Sequence, residues 1–92
     1  MPDIHIGSIA DEIMSEVVGA EAKFPAFNSA HEGWAVIKEE MDELWAEVCK
    51  GGSTPRDPEA MRHEAIQLGA MAIRFVRDVC DKRAYGIMRK VT

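Results

Sequence analysis

The chain has 92 residues and a net charge of −5. It is too acidic to grip a nucleic-acid polymer, because phosphate-backbone affinity requires clustered Lys and Arg. A single nucleotide is a different matter, since a divalent cation reverses the sign of an acidic pocket. Apolar residues make up 47% of the chain, the share of a globular protein and above the disordered range.

The whole of 1–92 reads as one domain, and one so short buries only a modest part of its surface, so oligomerisation is expected. No stretch approaches 18 uncharged apolar residues, and the N-terminus has no basic region followed by an apolar core. These features predict a cytoplasmic protein without a membrane partner. Cys49 and Cys80 fit neither a metal spacing nor a disulfide framework, and both are expected as buried or half-buried thiols.

Ala and Met are plentiful and β-branched runs are scarce, which favours an all-α fold. The first helix is predicted to start near Ser8, where Ser8 and Asp11 resemble a capping box. Ile9, Ile13, Val17 and Ala20 then recur at helical spacing as one apolar stripe. Residues 2–7 either extend this helix or lie against it. A break follows at Phe24-Pro25-Ala26-Phe27-Asn28.

Ser29 and Glu32 form a capping box that opens the second helix. Its core-facing stripe is Trp34, Ile37, Met41, Leu44 and Val48, and Trp45 is placed on the same apolar side. Lys50 and Gly51 mark its end, and a Gly- and Pro-rich loop over residues 51–58 separates it from the third helix.

The third helix begins with Asp57 as N-cap and Pro58 at the first helical position, and is predicted to run to about Arg83. Met61, Ala65, Leu68, Ala72, Phe75, Val76 and Val79, widened by Ile66, Ile73 and Cys80, are apolar over most of its circumference. Such a helix must be sandwiched, and two other helices of one small chain scarcely suffice, so a partner subunit is expected. Gly69, Ala70 and Ala72 are small enough for close helix approach. The tail after Tyr85 has no pattern.

Chemistry concentrates on the second helix. At ~100° per residue Glu40, Glu43 and Glu47 share one side, bordering the apolar stripe, and Glu32 and Glu39 widen the acidic surface. Like charges at this spacing repel, and a cation removes that cost. Magnesium suits the donors, being a hard ion that takes a few carboxylates, waters and phosphates. The plainer reading is a solvated acidic face. On the third helix Glu64 and Gln67 share a face, so two helices each offer an inward oxygen pair, a recurrent plan for a metal site in a bundle.

Glu39-Glu40-Met41-Asp42-Glu43, followed on the next helix by Glu64-Ala65-Ile66-Gln67, resembles the Glu-Glu-x-x-Glu … Glu-x-x-Asp pattern of the MazG-like all-α nucleoside triphosphate pyrophosphohydrolases. The flanking stretches 31–38 and 67–74 resemble short phage-type or prophage-type members, and the likeness spans roughly residues 24–79. The resemblance implies a helical bundle of three main helices per chain, completed as a homodimer or homotetramer. It implies Mg²⁺, with Mn²⁺ as substitute, on Glu40, Glu43 and Glu64, and a supporting or second-ion role for Glu39. The implied reaction converts a deoxy or non-standard nucleoside triphosphate to a monophosphate and pyrophosphate.

Gln67 departs from that pattern, standing where the family has Asp. Its carbonyl oxygen can ligate Mg²⁺ but brings no charge. Lys38 and His31 lie near the acidic strip in sequence and are candidates to meet phosphate, against plainer roles as a surface lysine and a capping residue. Trp34 and Trp45 are expected to pack in the core, and Arg62 and Arg74 to make surface or intersubunit ion pairs. Two alternatives to an active enzyme are a weak or inactive nucleotide- or metal-binding relative, with Gln67 as its mark, and a helical interaction module.

Overall fold

The computed structural model describes residues 2–81, with side chains from His5 onward. They form three α-helices in chain order: α1 (Pro2–Lys23), α2 (Ala30–Val48) and α3 (Pro58–Phe75), the last continuing into a π-helical segment, Val76–Asp81. Among the described residues no helix is long and apolar enough to cross a membrane.

The helix starts follow local chemistry. Ser29 accepts from the Glu32 backbone N–H at 3.0 Å. The Glu32 carboxylate reaches one residue further back than a standard capping box, accepting from Asn28 N at 2.9 Å and from its side-chain amide at 3.1 Å. Asp57 caps α3 by accepting from Glu59 N at 3.0 Å, with Pro58 following. Between α2 and α3, Gly52 takes the left-handed region (φ 58°), which only glycine adopts without strain. There Arg56 Nε donates to the Val48 carbonyl at 2.7 Å, satisfying one of the orphan acceptors at the end of α2.

Two predicted boundaries move. The first helix starts at Pro2 and not at Ser8, which lies exposed inside α1. Proline suits a first helical turn because it has no N–H to lose and its φ is preset. The third helix leaves α-geometry after Phe75, where the wider turns of the π-helical segment begin; the predicted end at Arg83 and the tail after Tyr85 lie outside the described residues.

α3 packs against both α1 and α2 and is the central helix. The core joins Val17 of α1, Phe27 of the first loop, and Ala70, Met71 and Val79 of the α3 arm, with Ile13, Ala20, Val36, Ile37 and Phe75 packed around them. Two close approaches set its shape. A Cβ at Gly33 would lie 2.6 Å from Phe75 Cδ2 and 3.1 Å from Phe27 Cδ2, and one at Gly69 would lie 3.2 Å from Ile13 Cδ1. Ion pairs Arg62–Glu12 and Arg77–Glu21 tie the α3 arm to α1 across the surface.

Several expected core residues are not buried. Trp34 is 56% exposed, Trp45 65% and Met41 45%. These three share an arc of about 40° on α2, away from the side that meets α3. Helical periodicity establishes that residues share a face, but not that the chain supplies a cover for it. On α3, Gly69 and Ala70 are taken up by α1, whereas Ala72, Ile73 and Val76 remain open. Cys49 and Cys80 are both exposed. Arg74 departs in the other direction: expected at the surface, it is 3% exposed.

Candidate metal centre and the adjoining cavity

The caps on Ser29 and Asp57 set where α2 and α3 begin, and the Gly52 turn folds the two helices against each other. Glu40 and Glu43, three residues apart on α2, thereby face Glu64 on α3. One carboxylate oxygen from each of the three lies within 4.8 Å of the others. Among the described residues neither Glu40 Oε2 nor Glu64 Oε2 has a hydrogen-bond partner, though both atoms are buried.

The electrostatics follow from that crowding. Loss of water and the neighbouring Glu43, Glu64 and Glu39 push the Glu40 carboxyl up from 4.5 to about 7. Glu64 is raised as well, first by loss of water and then by Glu43, with His63 acting in the opposite sense. With Glu43 beside these two raised carboxyls, the cluster forms an oxygen donor set of the type that suits a hard divalent cation.

A cavity of about 640 Å³ adjoins this cluster. Glu40 belongs to both, and Glu39 and Gln67 line the cavity beside it. Glu32, from the same acidic surface, also lines the cavity, whereas Lys38, His31 and Glu47 lie elsewhere. Lys38 is exposed and donates to both Asp42 oxygens at 2.8 and 2.9 Å. His31 is exposed in the first turn of α2 and does not line the cavity. Glu47 is held by Lys50 at 2.9 Å.

Several cavity residues were not singled out as site residues. His63 precedes Glu64 and sits one helical turn before Gln67, a spacing visible in the sequence. Lys23 and Phe24 close α1 and start the loop, where the only sequence signal was the break itself. Arg74 also lines the cavity, but as a strut: it donates to the Pro25 carbonyl at 2.9 Å, lies 4.6 Å from the Phe27 ring centroid and 4.0 Å from Asp78. Asp78 in turn accepts from Phe27 N–H at 3.1 Å, so the π-helical segment clamps the loop that carries Phe24. No family model, no curated protein and no solved structure matches the chain.

Proposed function

We propose that the chain is a MazG-like nucleoside triphosphate pyrophosphohydrolase of the short phage type, acting in the cytosol with Mg²⁺ or Mn²⁺. The observation that carries this reading is the meeting of Glu40, Glu43 and Glu64 from two helices, with buried oxygens that have no partner among the described residues. These three residues would hold the ion, with Gln67 adding an amide oxygen from the adjoining cavity wall. Bound there, Mg²⁺ supplies charge neutralisation for the triphosphate and for the departing pyrophosphate. Glu39, which lines the cavity beside Glu40, would accept a hydrogen bond from the attacking water and orient it. Water adds across the bond between the α- and β-phosphates, giving the monophosphate and pyrophosphate. The reading extends to assembly as a homodimer or homotetramer, supported by the exposed row of Trp34, Met41 and Trp45.

The test is a panel of ribo- and deoxynucleoside triphosphates with Mg²⁺ or Mn²⁺, assayed for monophosphate and pyrophosphate. Turnover of one or a few members is expected, falling roughly 100-fold or more in Glu40→Gln and Glu64→Gln. Undiminished turnover in both variants overturns the site.

A second reading, a nucleotide- or metal-binding relative without turnover, is favoured by one observation: Gln67 brings a neutral group to the wall where the resemblance has an acid. Mg²⁺-dependent nucleotide binding without product supports it. A large gain of turnover in Gln67→Asp supports the enzyme scaffold instead.

A further inference from the structure

The cavity beside the acidic cluster is larger than a metal-bound phosphate group needs, and its composition changes along its length. At one end stand Glu39, Glu40 and Gln67. At the other, the wall is made by one face of α1, where Glu16, Gly19, Ala20 and Lys23 recur at helical spacing, and by Phe24. Its volume of about 640 Å³ falls within the roughly 300–1,000 Å³ of small-molecule sites.

Two features make the α1 end a place for a flat ring, with Glu16 and Lys23 at its border. Gly19 leaves open space: a Cβ there would meet nothing within 4 Å. Phe24 offers a ring that is 59% exposed, whereas the Phe27 ring is buried with the Arg74 guanidinium against it. The backbone after Phe24 is held by Arg74 on Pro25 and by Asp78 on Phe27, and the Phe24 N–H donates to the Ala20 carbonyl at 2.8 Å, so the ring sits on a fixed support. Charge sets the direction of the ligand. Without a cation the Glu39–Glu40 end repels an anion, so phosphates belong with the metal and the uncharged part of the same molecule belongs at Phe24.

We propose that this cavity receives the nucleoside end of the substrate, stacked on Phe24 and accommodated by the space over Gly19. The inference rests on the metal-centre reading, through Glu40, the residue common to both. It assigns specificity to α1 and the first loop, elements outside the two acidic motifs.

The experiment fills or strips the cavity without touching the acids. Gly19→Leu adds bulk from an exposed helical glycine, and Phe24→Ala removes the ring. Gly7→Leu is the control, since Gly7 is also exposed in α1 with nothing near its Cβ but lies outside the cavity. For the best triphosphate of the panel, KM with Mg²⁺ is expected to rise roughly 5- to 100-fold in Phe24→Ala, the range for a lost base–aromatic stack, and comparably in Gly19→Leu. Gly7→Leu should keep the native KM, and the inhibition constant of Mg²⁺–pyrophosphate, which lacks a nucleoside, should stay constant in all three variants. Melting curves confirm that each variant folds.

KM within twofold of native in both cavity variants, alongside lost turnover in Glu40→Gln, overturns this inference and leaves the metal centre standing. Full turnover in Glu40→Gln and Glu64→Gln overturns the centre and the inference with it. So does a wild-type protein that by calorimetry binds none of the eight standard triphosphates with Mg²⁺.

Discussion

α3 buries charge at two places, and they are opposites. Near its C-terminal end Arg74 is surrounded by groups that suit a cation: the Pro25 carbonyl, the Asp78 carboxylate and the face of Phe27. Two turns or more toward its start, Glu64 faces Glu40 and Glu43, and the nearest groups are of its own sign. The first arrangement offsets much of the cost of burying the ion, although Arg74 Nε has no partner among the described residues. The second costs stability unless something of opposite charge arrives. The contrast separates the strut from the site more sharply than burial does, since the strut is the more deeply buried of the two.

The largest effect that would break this comparison is on stability. Arg74→Met should leave the Pro25 carbonyl and Asp78 without their cation, at a cost of about 3 kcal/mol, which for a domain of this size lowers Tm on the order of 15 °C. Asp78 keeps the Phe27 N–H, which places the loss at the low end for a broken buried pair. A urea-melt loss below about 1 kcal/mol would show that Arg74 is not a strut.

The acidic cluster predicts a smaller effect with a characteristic pH dependence. Glu40 is raised in the folded state, so its proton is held more tightly there than in the unfolded chain. Its contribution to stability is full below about 4.5 and is lost as pH climbs through about 7. Without metal, Tm should therefore decline over that window, and Glu40→Gln should flatten the decline. Mg²⁺ competes with the proton, so it should raise Tm on the order of 5 °C at pH 8 and hardly at all at pH 5. Scanning fluorimetry at both values checks this; equal stabilisation at both would separate the ion from Glu40.

The smallest expected effect sharpens the boundary of the site. Lys38 already spends its ammonium on Asp42 at the surface. Lys38→Ala should change stability by less than about 0.5 kcal/mol and leave KM unaltered. A KM rise beyond fivefold would place Lys38 at the phosphates and require the Asp42 pair to open.

Local signals carried far in this chain. The caps at Ser29 and Asp57, the Pro58 start and the two loops stand where the residue types put them, because each depends on contacts a few residues away. The alignment of Glu40 with Glu43, and of Glu64 with Gln67, follows from the rise of a helix alone. What failed were inferences from a helix face to its surroundings. Trp34, Met41 and Trp45 do share a face, yet the described residues leave it exposed. Arg74 carries the charge of a surface residue, and only the loop's carbonyl and Asp78, more than 40 positions and one turn away respectively, bring it inside.

The sequence by itself therefore determined that the chain is helical, where its second and third helices start, and which acids lie on which face, since these depend on short-range backbone geometry and capping. Tertiary structure decided that Glu40, Glu43 and Glu64 converge within 4.8 Å, that a cavity opens beside Glu40, and that α1 and the first loop form its far wall. Those outcomes depend on how α3 lies against both α1 and α2, a packing governed by contacts such as Gly33 with Phe75 and Gly69 with Ile13, which join residues far apart in the chain.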